Sequence, residues 1–157
     1  MAQFEFRLQS VLNLREKIEN QKELEYSQAL KRLGEERAKE RALVERKDAS
    51  VLELSERLRG KSKHENGTEK KGINPSEVSR YNDFIELMKE RITIQRKVVK
   101  AAEEFAEAKR KELVEAMRDR KTIERLRENA LEEYKEEEKR SEQKQVDQLV
   151  SYKYAKN

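Results

Sequence analysis

The chain has 157 residues, 45% of them charged and 34% apolar, with four Gly, one Pro, no Trp and no Cys. So little apolar matter excludes a broad two-sided core, and the scarcity of Gly and Pro argues against disorder; Glu, Lys, Arg, Leu, Ala and Gln are the residues of long solvated helices. The 37 basic and 33 acidic residues leave a net charge of +4, but the signs interleave, so the concentrated basic face that nucleic-acid binding requires is missing.

Without cysteine there is no disulfide framework, thiol nucleophile or thiolate metal site. The opening MAQFEFRLQSVL has neither the basic start nor the continuous apolar stretch of a signal peptide. No run of eighteen apolar residues occurs. A soluble cytoplasmic protein is the expectation.

Taken in order, the first predicted element is a helix from about residue 6 to 59. Leu8, Val11, Leu14 and Ile18 open an apolar stripe, and Leu33, Val44, Val51, Leu54 and Leu58 fit one repeat later on. Arg37, Glu40 and Lys47 fall on the same seam, and Gly34 costs about 1 kcal/mol relative to Ala inside a helix. With Ala38 and Ala42 it forms a shallow surface on which a partner helix could approach closely.

A break follows, GKSKHENGTEKKGINPSE at 60–77, which holds three of the four glycines, an Asn-Gly turn signal and the only proline. Its exit is marked by Asn74 as N-cap, Pro75 at the first helical position and Glu77 three residues after the cap. The second helix is therefore predicted from about residue 75 to 150.

Steps of 3 and 4 from Val78 visit Tyr81, Ile85, Met88, Ile92, Gln95, Val99, Ala102, Ala106, Lys109, Leu113, Ala116, Arg120, Ile123, Arg127, Ala130, Tyr134 and Glu137. Thirteen of these 18 positions, Val78 included, are apolar or Tyr. A period of 3.5 held this long belongs to a supercoiled helix. The predicted fold is all-α, a single long two-helix antiparallel coiled-coil hairpin over 1–157, a rod of roughly 120 Å. Paired residue numbers should sum to roughly 135. The second helix would then overhang the first beyond about residue 131, with EEYKEEEKRSEQKQ too polar to be well ordered alone.

The predicted second helix also carries more apolar residues than one seam uses. A parallel row reads Phe84, Leu87, Arg91, Ile94, Val98, Ala101, Phe105 and Ala108, bounded by Glu77 and Arg80 before it and by Glu112, Glu115 and Asp119 after it. Two readings stay open: the first helix wraps across and covers part of the row, or the row is an exposed strip for a protein partner. Arg91 suits the second, because Arg is enriched in interfaces. Phe4 and Phe6 at one end, with Tyr152 and Tyr154 at the other, suggest a docking tip.

Catalysis finds no support. His64 has no Cys or second His nearby, no phosphate-binding glycine loop exists, and the carboxylates are expected to face water on a narrow rod, without the burial that general acid–base roles require. No cofactor and no enzyme activity are expected.

FEFRLQSVLNLRE at the start, SRYNDFIELMKERI after the break, and a charged hairpin of this length together resemble the flagellar type III export protein family FliJ. The resemblance covers the whole chain, and Phe84 is its most telling position because it lies off the seam that any coiled coil shares. It implies a non-enzymatic cytoplasmic stalk that binds the export ATPase hexamer through its terminal end, here Phe4, Phe6, Leu8, Tyr152 and Tyr154. It further implies contact with the cytoplasmic domain of the membrane export gate, escort of export chaperones, and association with the membrane only through protein partners. The family's gate-contact Phe and the aliphatic residue four later correspond to Phe84 and Met88. Two further contact positions fall on Arg91 and Gln95, where the family pattern has a small residue and a His; Leu87 and Ile94 lie on the same strip. The competing readings are a generic self-associating coiled coil, and a nucleic-acid arm built on Lys61, Lys63, Lys70 and Lys71.

Overall fold

The computed structural model describes residues 3–60 and 73–156. His64 and the Lys61, Lys63, Lys70 and Lys71 group lie outside the described residues. Two helices are present, α1 Gln9–Leu58 and α2 Pro75–Ala155, and no strand occurs among the described residues. The fold is all-α, an antiparallel two-helix coiled-coil hairpin.

The ends of the helices follow local chemistry. Asn74 caps α2: its side-chain Oδ1 accepts from the Ser76 amide at 3.2 Å, and its carbonyl accepts from the Glu77 amide at 2.9 Å. Gly60 ends the α1 segment in the left-handed region, φ 63°, where glycine alone is unstrained. The start of α1 is later than the sequence predicts. Residues 3–6 are not helical, and side chains 4, 6 and 8 are partly buried while 3, 5 and 7 are exposed. That two-residue period belongs to extended chain. The aromatic pair Phe4 and Phe6 gains more by turning both rings inward than a helix, which would splay them, allows.

The chain divides into two compact units, one made of the residues up to Glu25 with those from Arg110 onward, the other of Tyr26–Lys109. In the first unit the pairing is ionic as much as apolar. Arg15 meets Asp119 at 3.1 Å and Lys22 meets Glu112 at 2.9 Å, pairs whose numbers each sum to 134. Arg120 bonds both Glu19 and Glu124. These hydrogen bonds push the Lys22 ammonium and the Arg120 guanidinium further up, Glu112 being the main cause for the first and Glu19 for the second. Leu12 and Ala116 are the buried apolar residues here, 3% and 7% exposed.

In the second unit Tyr81 Oη donates to Glu53 at 2.7 Å, again a sum of 134, and Arg57 lies 5.5 Å over the Tyr81 ring. That bond, ahead of burial, pushes the Tyr81 phenol up. The core is a cluster of Ala29, Leu33, Val99, Ala102 and Ala106, extended by Leu54, Ile85, Met88 and Ile92. Three of its five members, Ala29, Ala102 and Ala106, are small. Gly34 plays no part in it: an added Cβ meets nothing within 4 Å, and Ala38 and Ala42 are exposed as well. Gly34→Ala should therefore raise stability by about 0.5–1 kcal/mol, read by thermal unfolding.

The seam of α2 lies where its period places it, but that of α1 does not. Leu14, Val51 and Leu58 are 56%, 44% and 56% exposed. Leu12 and Ala29 are buried instead, and Glu36 and Leu43 face inward in place of Arg37. The true α1 row, 12, 15, 19, 22, 26, 29, 33, 36, 40, 43, 47, 50 and 54, keeps strict heptad steps but is half polar. An apolar count is blind to it, because charged residues at narrow seams bury their stems and keep their heads in water.

Glu36 illustrates the cost of such a seam residue. Its carboxylate accepts from Lys39 at 2.9 Å and from Gln95 at 2.6 Å, and its backbone carbonyl also accepts from Gln95 at 3.0 Å. The Lys39 and Gln95 bonds, in that order, hold the carboxyl below the ordinary carboxylate value. A depressed folded value stabilises above the ordinary value, and the gain disappears as pH falls through the depressed one. Glu36→Gln should accordingly lower thermal stability at neutral pH and remove part of the loss seen on acidification below the carboxylate range.

The predicted polar overhang is helical to Ala155. Strong helix formers and same-face pairs, Arg140 with Glu136 and Gln143 with Asp147, support it without burial.

Candidate functional site

The row parallel to the α2 seam lies open in the second unit. Leu87, Ile94, Val98 and Phe105 are 42%, 62%, 38% and 49% exposed, and Ala101 and Ala108 are exposed too. α1 does not wrap over it, because its own heptad row keeps it on the seam. Phe84, at the edge of the row, is partly buried, with the Arg46 guanidinium carbon 5.3 Å from its ring centre. At the other edge the Lys109 ammonium stands 5.5 Å from the Phe105 ring centre. A cation over an aromatic face is attracted to it by about 0.5–1 kcal/mol at exposed sites.

The six residues of the gate-contact expectation fall in four settings. Leu87, Arg91 and Ile94 are exposed on the strip. Phe84 borders them. Met88 is the most deeply buried side chain described, at 1%, so it reaches a partner only if the helices part; its place is in the seam. Gln95 is partly buried and donates twice to Glu36, which commits its amide to the hairpin.

The terminal candidates also separate. In the first unit the Phe4 ring lies 5.5 Å from that of Tyr134, tilted at 53°, and Phe6 and Leu8 are partly buried. Tyr152 and Tyr154 are 65% and 80% exposed, with the Lys156 ammonium 5.4 Å from the Tyr152 ring centre. Eighteen residues of helix part Tyr134 from Tyr152, about 27 Å, so the two aromatic sets form no single tip. Val146, Leu149 and Val150 add an exposed apolar stripe beside the tyrosines, 52%, 67% and 47% exposed. The sequence reading passed over that stripe, although its steps of 3 and 4 were visible.

Nothing in the described residues resembles a reaction centre. No group of three or more His, Cys, Asp or Glu that could hold a metal ion occurs there, and no described side-chain polar atom is both buried and unpartnered. Among the described residues no helix is long and apolar enough to cross a membrane. What the geometry offers is two exposed apolar surfaces, the strip on α2 and the stripe at its C-terminal end. Against known proteins, the sequence profile of the flagellar FliJ protein family matches residues 4–157.

The chain belongs to the FliJ family. FliJ membership makes it a component of the flagellar protein-export apparatus, with protein partners inside that apparatus, and places it in a family of non-catalytic structural proteins. No curated protein and no solved structure matches the chain. The FliJ match spans both helices.

Proposed function

We propose that this FliJ-family chain is a stalk that couples the flagellar export ATPase to the export gate. The observation that carries the reading is the family match over 4–157, and the open Phe84–Ala108 strip supports it by supplying a surface with no use inside the hairpin. In this reading the terminal segments, Phe4, Phe6 and Leu8 with Tyr152 and Tyr154, engage the ATPase hexamer. Phe84, Leu87, Arg91 and Ile94 meet the cytoplasmic domain of the gate, with Met88 and Gln95 supporting them from the seam. Export chaperones are escorted on the same chain, and protein partners alone hold it at the cytoplasmic face of the membrane.

The deciding experiment adds the purified chain to purified export ATPase and follows hexamer formation and ATP turnover. Both should rise; no change in either sinks the coupling reading. A second arm measures binding of the gate's cytoplasmic domain to Phe84→Ala. Binding should fall roughly tenfold or more, as for an interface anchor, with helicity unchanged. Lower thermal stability with binding intact would make Phe84 internal packing.

A self-associating coiled coil is the second reading, favoured by the 62% exposure of Ile94. Light scattering over a concentration series separates the two, because a monomer needs a heterologous occupant for the strip.

A further inference from the structure

We infer that the strip receives an acidic amphipathic α-helix of its partner, laid along the groove between α2 and a basic row on α1. The inference rests on the docking reading above and specifies the occupant's secondary structure and charge.

The first argument is spacing. Phe84, Leu87, Ile94, Val98 and Phe105 recur at steps built from 3 and 4, the period at which a second helix sets its own side chains. An extended segment alternates every second residue and would meet every other position with the wrong face. Residues 84–108 run for about 36 Å along the helix, so the occupant is a helix of comparable length, completing a third strand beside the hairpin.

The second argument is charge. Arg46 marks the α1 edge of the groove, because its guanidinium lies over the Phe84 ring. Lys39 and Arg32 precede it by one and two heptads and so stand on the same edge; all three are exposed. Arg91 adds a fourth cation within the strip. Neither the 32–39–46 row nor the strip contains an acid. Lys39 pairs with Glu36 at 2.9 Å, yet its side chain is 63% exposed and Glu36 also accepts from Gln95. Lys39 can therefore turn outward to a partner without orphaning that carboxylate. The far edge of the strip, Asp83, Glu90, Lys97, Glu104 and Lys111, is mixed. The incoming helix thus carries its acids on the edge that faces α1.

The same charges disfavour a second copy of this chain. Two identical strips packed antiparallel set the basic rows against each other, and like charges across an interface select against that partner.

The test uses two synthetic helical peptides of about four heptads with Leu at both seam positions. One carries Glu on its flanking positions, the other Lys. Binding to the full chain is read by fluorescence anisotropy. The Glu peptide should bind roughly tenfold tighter or more, with the preference shrinking as salt rises. Neutralising the row in Arg32→Gln, Lys39→Gln, Arg46→Gln should abolish the preference, and the triple Glu replacement should invert it, with helicity checked by circular dichroism. Ile94→Ser should weaken both peptides. Equal binding of the two peptides, a Lys preference in the unmodified chain, or self-association lost in Ile94→Ser would overturn the inference. The gate domain is measured on the same variants. Charge-blind peptides with gate binding lost in Phe84→Ala remove the acidic helix and leave the docking reading. A bound Glu peptide with no gate binding at all removes the gate reading and leaves the acidic helix.

Discussion

Met88→Ala is expected to lower the stability of the second unit by about 2–5 kcal/mol, the range for truncating a buried Met, Leu or Ile. Met88 is 1% exposed and sits between Ile85 and Ile92, which are 8% and 5% exposed. Removing its thioether arm opens a cavity in a seam only two helices thick, where few neighbours exist to collapse into it. Leu87→Ala, one residue earlier and 42% exposed, should change stability by no more than about 0.5 kcal/mol. Urea denaturation followed by circular dichroism reads both. A mild Met88→Ala with a severe Leu87→Ala would mean that seam and strip are exchanged.

The second large effect comes from adding volume. Ala106 and Ala29 are 4% and 3% exposed within the core cluster. Ala106→Leu inserts three carbons where small side chains allow the helices to approach, and overpacking of this kind costs about 1–3 kcal/mol. Ala108→Leu, two residues on and exposed, should leave stability within about 0.5 kcal/mol. A stabilised Ala106→Leu protein would show that the helices have room to spare at this level.

Both predictions follow from which face of α2 turns inward, and that much was written in the residues. From Val78 to Ala106 the heptad steps land on the residues that are buried or partly buried. Asn74, Pro75 and Glu77 announced the start of the same helix. α1 was misread at its seam for a physical reason. Arg15, Glu19, Lys22, Glu36, Glu40 and Lys47 hold seam positions through partners on α2 or through their aliphatic stems, so a search for apolar period slid onto Leu14, Val51 and Leu58, which face water. The helix start was placed at about residue 6 rather than Gln9, because the stripe from Leu8 onward masks the two-residue alternation of residues 3–8.

The candidate site divides along the same line. The strip was legible as a row of positions, because a seam of one width cannot use both Phe84 and Tyr81. Its openness was not legible, since it depends on whether α1 leans across. The row Arg32, Lys39 and Arg46 was present in the sequence at seven-residue steps, yet only Arg46 over Phe84 ties it to the strip rather than to the opposite edge.

The sequence by itself determined the class of molecule. Too few apolar residues for a broad core, strong helix formers throughout, one break and a period of 3.5 admit a helical hairpin and little else, because each is a local property of consecutive residues. The tertiary structure decided which residues of α1 fill the seam, that Met88 is beneath the surface while Leu87 and Ile94 are on it, and that cations border the open face. Those outcomes depend on the rotation of one helix about its axis relative to the other. In the second unit that rotation shows in the buried cluster of Ala29, Leu33, Val99, Ala102 and Ala106 and in the pairs Arg37 with Glu103 at 2.7 Å and Arg96 with Glu40 at 2.9 Å, contacts between residues more than fifty positions apart.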